Sequence, residues 1–127
     1  MENIRPTESE LEVLQVLWQA GPSTVRQVNE RLLEKREVGY TTTLKIMQIM
    51  HEKGLLSREK SGKTHIYSAE IRQDDTQRAL LSRFVQRAYG GSAMQLVLQA
   101  LGNHEASPEE IDQIRAYLDQ LENNSPQ

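Results

Sequence analysis

The sequence predicts a mainly α-helical protein with one small β-hairpin, organised as two small units. Apolar residues recur at helical spacing over most of the 127 residues, and capping signals open several of these stretches. Only residues 55–68 show the pattern of two short strands separated by a turn. We therefore expect three helices and a hairpin in residues 1–69, and further helices in residues 70–127.

The first two helices are predicted from capping boxes. Thr7 precedes Glu10 by three residues, which opens a helix that ends at Gly21. Thr24 stands in the same relation to Gln27 and opens the second helix. Each helix has one apolar stripe, formed by Leu11, Leu14 and Trp18 in the first and by Val25, Val28 and Leu32 in the second. Both stripes are expected to face one core.

The third helix is predicted over residues 40–54 and has two different faces. Its inner stripe consists of Thr43, Ile46, Met47 and Met50. The opposite face carries hydroxyl, ammonium and amide groups, on Thr41, Thr42, Lys45 and Gln48. Such groups contact phosphate oxygens and base edges in a DNA groove, which favours a recognition helix. The alternative is an ordinary amphipathic helix whose outer face is simply solvated.

A hairpin follows the third helix. Residues 55–60 and 64–68 are predicted to be strands joined at Ser61 and Gly62, with Lys60 and Lys63 on either side of the turn. Three helices followed by a basic hairpin are typical of a winged helix-turn-helix, so these four residues are expected to meet the DNA backbone or minor groove. Arg26, at the start of the second helix, is a further candidate for phosphate contact. A merely solvated hairpin tip is the alternative.

Charge is unevenly distributed along the chain, whose formal net charge is −3. Residues 1–69 contain ten Lys and Arg against nine Asp and Glu, whereas residues 70–127 contain five against nine. Basic residues of the first half cluster from the third helix to the hairpin, at Lys53, Arg58, Lys60 and Lys63. This cluster favours nucleic-acid contact by the first half in spite of the overall acidity.

Several kinds of site are not expected. The chain has no cysteine, which excludes disulfides, iron–sulfur clusters and thiolate metal sites. His51, His65 and His104 are scattered, so we expect neither a bound metal nor a cofactor, and no enzyme activity. No apolar run reaches the roughly 18 to 20 residues that cross a membrane, and no signal-peptide pattern opens the chain, so we expect a cytoplasmic protein without membrane insertion.

Residues 70–127 are predicted to form three helices. The first covers residues 76–89, the second opens at Ser92, and the third opens at Ser107 with Pro108 as its first residue. Their apolar residues, which we expect to form a dimerisation surface, are Leu81, Phe84, Val85, Leu96, Val97, Leu98, Leu101, Ile111, Ile114, Leu118 and Leu121. So short a segment can hardly close a core alone, and a second copy would cover it. The alternative is a monomer in which these helices fold back on the first domain.

The ordered set of motifs resembles the penicillinase-repressor (BlaI/MecI-type) transcriptional regulators. The matching segments are PTESELEVLQVLW at 6–18, TVRQV at 24–28, YTTTL at 40–44, EKGLL at 52–56, IY at 66–67 and GGS at 90–92. The resemblance implies a winged helix, a C-terminal dimerisation region and a homodimer that represses transcription on an inverted-repeat operator in double-stranded DNA. From the residues alone, a winged-helix protein-interaction module that binds no DNA is the alternative.

The sequence departs from parts of the family pattern. In members paired with a membrane sensor protease, cleavage within the dimerisation region ends repression, so the resemblance raises such a protease as a further partner. The stretch 96–101 lacks the Asn-Phe pair that is cut in beta-lactam-responsive members, and neither beta-lactam induction nor cleavage between Gln99 and Ala100 is predicted. The cysteine cluster of copper-responsive relatives is absent as well. Neither the inducing signal nor the regulated gene is evident from the sequence.

Overall fold

The computed structural model describes residues 5–103 and 105–124, so that His104 lies outside the described residues. Its elements in chain order are α1 (Glu8–Ala20), α2 (Val25–Leu33), α3 (Tyr40–Glu52), β1 (Leu56–Ser61), β2 (Thr64–Ala69), α4 (Gln73–Tyr89), α5 (Ala93–Asn103) and α6 (Pro108–Asn123). The predicted fold class is confirmed, with an N-terminal winged helix-turn-helix followed by three helices. The chain divides into two compact units, Met1–Leu81 and Ser82–Gln127.

Both predicted N-terminal capping boxes are present. The hydroxyl of Thr7 accepts from the amide of Glu10 at 3.1 Å, and the Glu10 carboxylate accepts from the amide of Thr7 at 3.0 Å. Thr24 and Gln27 make the same reciprocal pair. These bonds satisfy amide groups that a helix start otherwise leaves without partners. Gly21 then ends α1 with a φ of 82°, a value that glycine adopts without strain.

The core of the first unit lies between α1, α2, α3 and the base of the hairpin. Its buried apolar residues are Val13, Leu14, Val16, Leu17, Val25, Val28, Leu32, Val38, Met47, Met50, Leu55, Leu56 and Tyr67. Trp18 packs against this cluster, and its indole N–H donates to the carbonyl of Ile71 at 3.1 Å. The inner stripes predicted for α2 and α3 therefore meet in one core. The stripe predicted for α1 was only partly right, because Leu14 is buried and Trp18 is half-buried, but Leu11 does not belong to the core.

The hairpin is fixed to the helices by a backbone pairing. Ser61 lies opposite Thr64, so Gly62 and Lys63 form the turn and the predicted turn at Ser61 and Gly62 was one residue early. A φ of 63° at Gly62 permits this tight turn. At the base of the hairpin, Ser23 exchanges two backbone hydrogen bonds with Tyr67, at 3.0 and 2.8 Å. The connection between α1 and α2 thus pairs with β2.

The fourth helix starts earlier than predicted. It begins at Gln73, whereas the sequence predicted a start at residue 76. Asp74 and Asp75 lie in its first turn, where negative charge stabilises the partial positive charge of a helix N-terminus. The Thr76 hydroxyl donates to the carbonyl of Arg72 at 2.7 Å. Thr76 therefore lies within the first turn, and the predicted start was three residues late.

The second unit has almost no core of its own. Among its described residues Val85 is the only buried apolar side chain, and α5 and α6 bury none. Ser107 caps α6 as predicted, through reciprocal bonds with Glu110. Large apolar side chains are exposed on all three helices, namely Phe84, Met94, Val97, Leu98, Leu101, Tyr117, Leu118 and Leu121. Within one chain these side chains remain uncovered.

An ion pair joins α1 to the loop that precedes α3. Arg36 donates through Nε and Nη2 to the Glu12 carboxylate, with Nη2 2.8 Å from Oε1. These hydrogen bonds lower the pKa of Glu12 below its ordinary value of 4.5, and the charges of Arg36 and Lys35 act in the same direction against the opposing effect of burial. The pair therefore favours the ionised carboxylate in the folded state.

We expect Glu12→Gln to reduce the free energy of unfolding slightly at pH 7, since both partners are partly exposed. Because the pKa of Glu12 is lowered on folding, its stabilising effect is complete above the ordinary carboxyl pKa and is lost as the pH falls through the folded-state value. Denaturant unfolding at several pH values should show wild type and variant converging at acid pH. Glu30→Gln, which removes an exposed carboxylate from α2, is the control. A difference that persists at acid pH would contradict this account.

Candidate nucleic-acid interface

The outer face of α3 is open to solvent. Thr43, Met47 and Met50 are buried beneath it, as the helical spacing predicted. The predicted contact residues on the opposite face are all exposed, namely Thr41, Thr42, Lys45 and Gln48. This face presents hydroxyl, ammonium and amide groups, which are the groups that hydrogen-bond base edges and phosphates.

A buried amide positions the start of α3. Asn29 of α2 is 7% exposed, and its Nδ2 donates to the Thr43 hydroxyl at 2.8 Å and to the carbonyl of Val38 at 3.0 Å. Thr43 lies on the inner face of α3, and Val38 lies in the loop that leads into the helix. One side chain therefore links α2, the loop and the third helix. No motif in the sequence marks Asn29, because its partners are 9 and 14 residues away.

A cleft of about 510 Å³ lies between the start of α2, the third helix and the hairpin. It brings together three of the predicted contact residues, Arg26, Gln48 and Lys63. The other predicted residues are exposed on α3 and at the hairpin tip but do not line this cleft, and they are Thr41, Thr42, Lys45, Lys60, Ser61 and Gly62. The predicted set thus occupies two adjoining surfaces, the outer face of α3 and the cleft beside it.

The lining of the cleft is basic. It consists of Thr24, Val25, Arg26, Tyr40, Leu44, Gln48, Arg58, Lys63, Thr64, His65 and Tyr67, without a carboxylate among the described residues. The guanidinium of Arg26 lies 5.6 Å from the centroid of the Tyr40 ring, within range of a cation–π interaction. In the part of the chain that the structure describes, none of the basic residues of the cleft forms a salt bridge. The charges of Arg26, Arg58 and Lys63 are therefore free to attract an anionic partner.

Two basic residues of the cleft were absent from the predicted contact set. Arg58 lies opposite Tyr67 in the hairpin, and His65 lies opposite Lys60. The sequence placed Arg58 in a basic cluster, but the face that each strand residue presents depends on the register and on the docking of the hairpin. Lys53 belonged to the same cluster, yet its Nζ lies 2.7 Å from the buried carboxylate of Glu10. Its charge is thus offset within the fold.

Other kinds of site find no support in the described ranges. No group of three His, Asp or Glu side chains is placed to hold a metal ion among residues 5–103 and 105–124. Over the same residues, no helix combines the length and apolar character that crossing a membrane requires.

Asn29→Ala should lower the free energy of unfolding by about 1 to 3 kcal/mol, because it leaves the buried carbonyl of Val38 without its donor. Chemical denaturation followed by circular dichroism measures this loss. Glu30→Ala, on the exposed side of the same helix, should change the stability by less than about 0.5 kcal/mol. Equal effects of the two substitutions would show that the amide network does not hold α3.

Known proteins of one family match nearly the whole chain. The penicillinase repressor family model matches residues 6–120. The penicillinase repressor of Staphylococcus aureus is 25% identical over 113 residues, which cover 89% of this chain and 90% of that protein. The penicillinase repressor of Bacillus licheniformis is 26% identical over 117 residues, covering 92% and 91%. The transcriptional regulator BlaI of Mycobacterium tuberculosis is 28% identical over 111 residues, covering 87% and 80%.

Among solved structures, a mutant of ZitR from Lactococcus lactis matches 97% of this chain and 77% of its own, with a TM-score of 0.48 and 17% identity. The family match does not depend on that likeness. It spans residues 6–120 and so covers the winged helix, the basic cleft and the C-terminal helices as far as residue 120. This chain belongs to the penicillinase repressor family of transcriptional repressors.

Proposed function

We propose that this chain is a homodimeric repressor that binds an inverted-repeat operator in double-stranded DNA. One observation carries the proposal: the polar outer face of α3 adjoins a cleft that is lined by four basic side chains and no described carboxylate. Such a surface attracts the phosphate backbone and offers groups for reading bases beside it. Membership of a repressor family supports the same class of function. A DNA partner also supports placing the protein in the cytoplasm.

We assign residues 1–69 to DNA binding. In this proposal α3 enters the major groove, which admits one helix, and Gln48 is suited to an adenine because an amide pairs with its N6 and N7. Arg26 contacts a flanking phosphate. The tip of the hairpin, which is the wing of this fold, meets the backbone or the minor groove. The remaining proposed contacts are Thr41, Thr42 and Lys45 on α3, and Lys60, Ser61, Gly62 and Lys63 at the wing.

We assign residues 70–127 to dimerisation. Among the described apolar residues of this segment only Val85 is buried, whereas soluble monomers rarely leave large contiguous apolar patches exposed. A second copy presents the same side chains, and twofold pairing covers both sets at once. The proposed interface residues are Leu81, Phe84, Leu96, Val97, Leu98, Leu101, Ile111, Ile114, Leu118 and Leu121. Val85, which also belongs to the predicted set, is already buried within one chain.

The separation of DNA binding from dimerisation suggests how repression ends. When two DNA-binding domains are linked, binding of the first raises the effective concentration of the second at its half-site. Separation of the two copies therefore releases the operator without altering α3. Cleavage of the second unit by a sensor protease is one such route, and ligand binding to that unit is another.

Selection from random duplexes tests the function directly. Recovered sites should be palindromic, because a twofold dimer imposes its symmetry on DNA, with half-site centres about 10 base pairs or a multiple apart. Affinity should fall steeply with salt, since binding releases counterions. If only asymmetric sites were recovered, the proposal that a twofold dimer reads the DNA would be excluded. Failure to enrich any duplex, with no salt-dependent binding, would favour a protein-interaction module.

The same selection with Gln48→Ala separates base reading from phosphate contact. This variant should lose preference at one position in each half-site, at a cost of about 1 to 3 kcal/mol for the preferred base. Lys63→Ala is the companion variant, and it should weaken binding to all sequences alike. A changed base preference in Lys63→Ala, with none in Gln48→Ala, would reverse the roles of helix and wing.

Leu98→Asp should abolish tight operator binding by separating the dimer. Leu98 is 62% exposed in one chain, so the substitution disturbs little within it but buries a charge in the proposed interface. Loss of the second half-site should weaken operator binding about 10²- to 10⁴-fold. Leu33→Asp, which makes the same change at an exposed position of α2, is the control for sedimentation and gel-shift measurements. A monomeric Leu98→Asp variant that binds as tightly as wild type would exclude this mechanism.

A further inference from the structure

The basic cleft supports an inference about residues outside the predicted contact set. We propose that the cleft is a binding site for a run of the DNA sugar–phosphate backbone, in which Arg58 and His65 contact phosphate oxygens irrespective of base sequence. The inference rests on the proposed function and specifies the part of the DNA that this surface takes.

The size and lining of the cleft suit a run of backbone. Its volume of about 510 Å³ exceeds what one phosphate group fills. Val25 and Tyr67 are its most buried lining residues, whereas its four basic lining residues are exposed. Several exposed basic groups along one cleft suit a partner that carries a phosphate at each successive unit. The described lining holds no carboxylate that would repel it.

Arg58 is held in a position to bind phosphate. Its Nη1 donates to the Tyr67 hydroxyl at 3.4 Å, and Tyr67 is itself 1% exposed and paired with Ser23. A guanidinium has five N–H donors, so one contact with Tyr67 leaves the others for phosphate oxygens, which it matches in a bidentate manner. A rigid support of this kind reduces the entropy lost when the arginine is immobilised on binding.

His65 is held by the same buried ring. Its imidazole packs edge-to-face against Tyr67, with the ring centroids 6.3 Å apart and an angle of 79° between the planes. Both new contact residues therefore depend on a single buried side chain. Gln48 also lines the cleft while it belongs to the outer face of α3. The two surfaces are continuous at this residue, so one duplex can occupy both, which favours backbone over a separate small anion.

The salt dependence of binding by the full-length protein tests the inference. In Arg58→Gln, the slope of the logarithm of affinity against that of salt concentration should become shallower by about one unit. The weakening should be equal on the selected operator and on a duplex of mixed sequence. Arg31→Gln is the matched control, because it removes the same charge from α2 at a surface shared with Glu30 and Glu34, outside the cleft. Its slope should stay near that of wild type.

His65→Phe provides a second variant, which keeps an aromatic ring against Tyr67 but removes the nitrogen atoms that would contact phosphate. It too should bind more weakly than wild type, and the loss of affinity should be the same on the selected operator as on the duplex of mixed sequence. Two results would overturn the inference and leave the proposed function standing. In one, wild type has a steep salt slope and the slope of Arg58→Gln equals that of Arg31→Gln. In the other, Arg58→Gln loses affinity for the selected operator only. A wild-type protein that binds neither duplex in a salt-dependent way overturns the proposed function itself.

Discussion

The backbone pairing between Ser23 and Tyr67 determines where the hairpin lies. A two-stranded hairpin is marginally stable by itself in water, so its direction depends on what it packs against. Here two hydrogen bonds join β2 to the connection between α1 and α2, and Tyr67 is buried in the core beneath them. The cleft exists because this pairing holds the hairpin beside α3. The placement of Arg58 and His65 follows from the same buried ring.

The third helix depends on a comparable internal support. Its N-cap is Gly39, which offers no side chain to satisfy the first amide groups, and the residues of its outer face are exposed to solvent. The buried amide of Asn29 supplies a link on the inner side, through Thr43 and Val38. The outer face of α3 is polar and exposed, so the orientation of the helix depends on these buried hydrogen bonds on its inner side.

The second unit differs from the first in how much apolar surface it buries within one chain. The first unit buries a core that includes several side chains with no exposed surface, whereas the described part of the second buries only Val85 among its apolar residues. In the proposed dimer, association of the two copies stabilises this unit, so its structure and its oligomeric state are linked. Under that proposal, an event that separates the copies lowers the occupancy of DNA without altering α3.

Local chemistry explains which features the sequence by itself determined. Capping boxes, glycine at helix ends and helical apolar spacing act within a few residues, so the helices, the hairpin and the two faces of α3 were predictable, and the family followed from their order. Only the tertiary structure decided the pairing of Ser23 with Tyr67. It also decided that the ammonium group of Lys53 pairs with the carboxylate of Glu10, 43 residues away, and so adds no free charge to the basic surface. Contacts between distant residues depend on how the elements dock, and no local pattern records that.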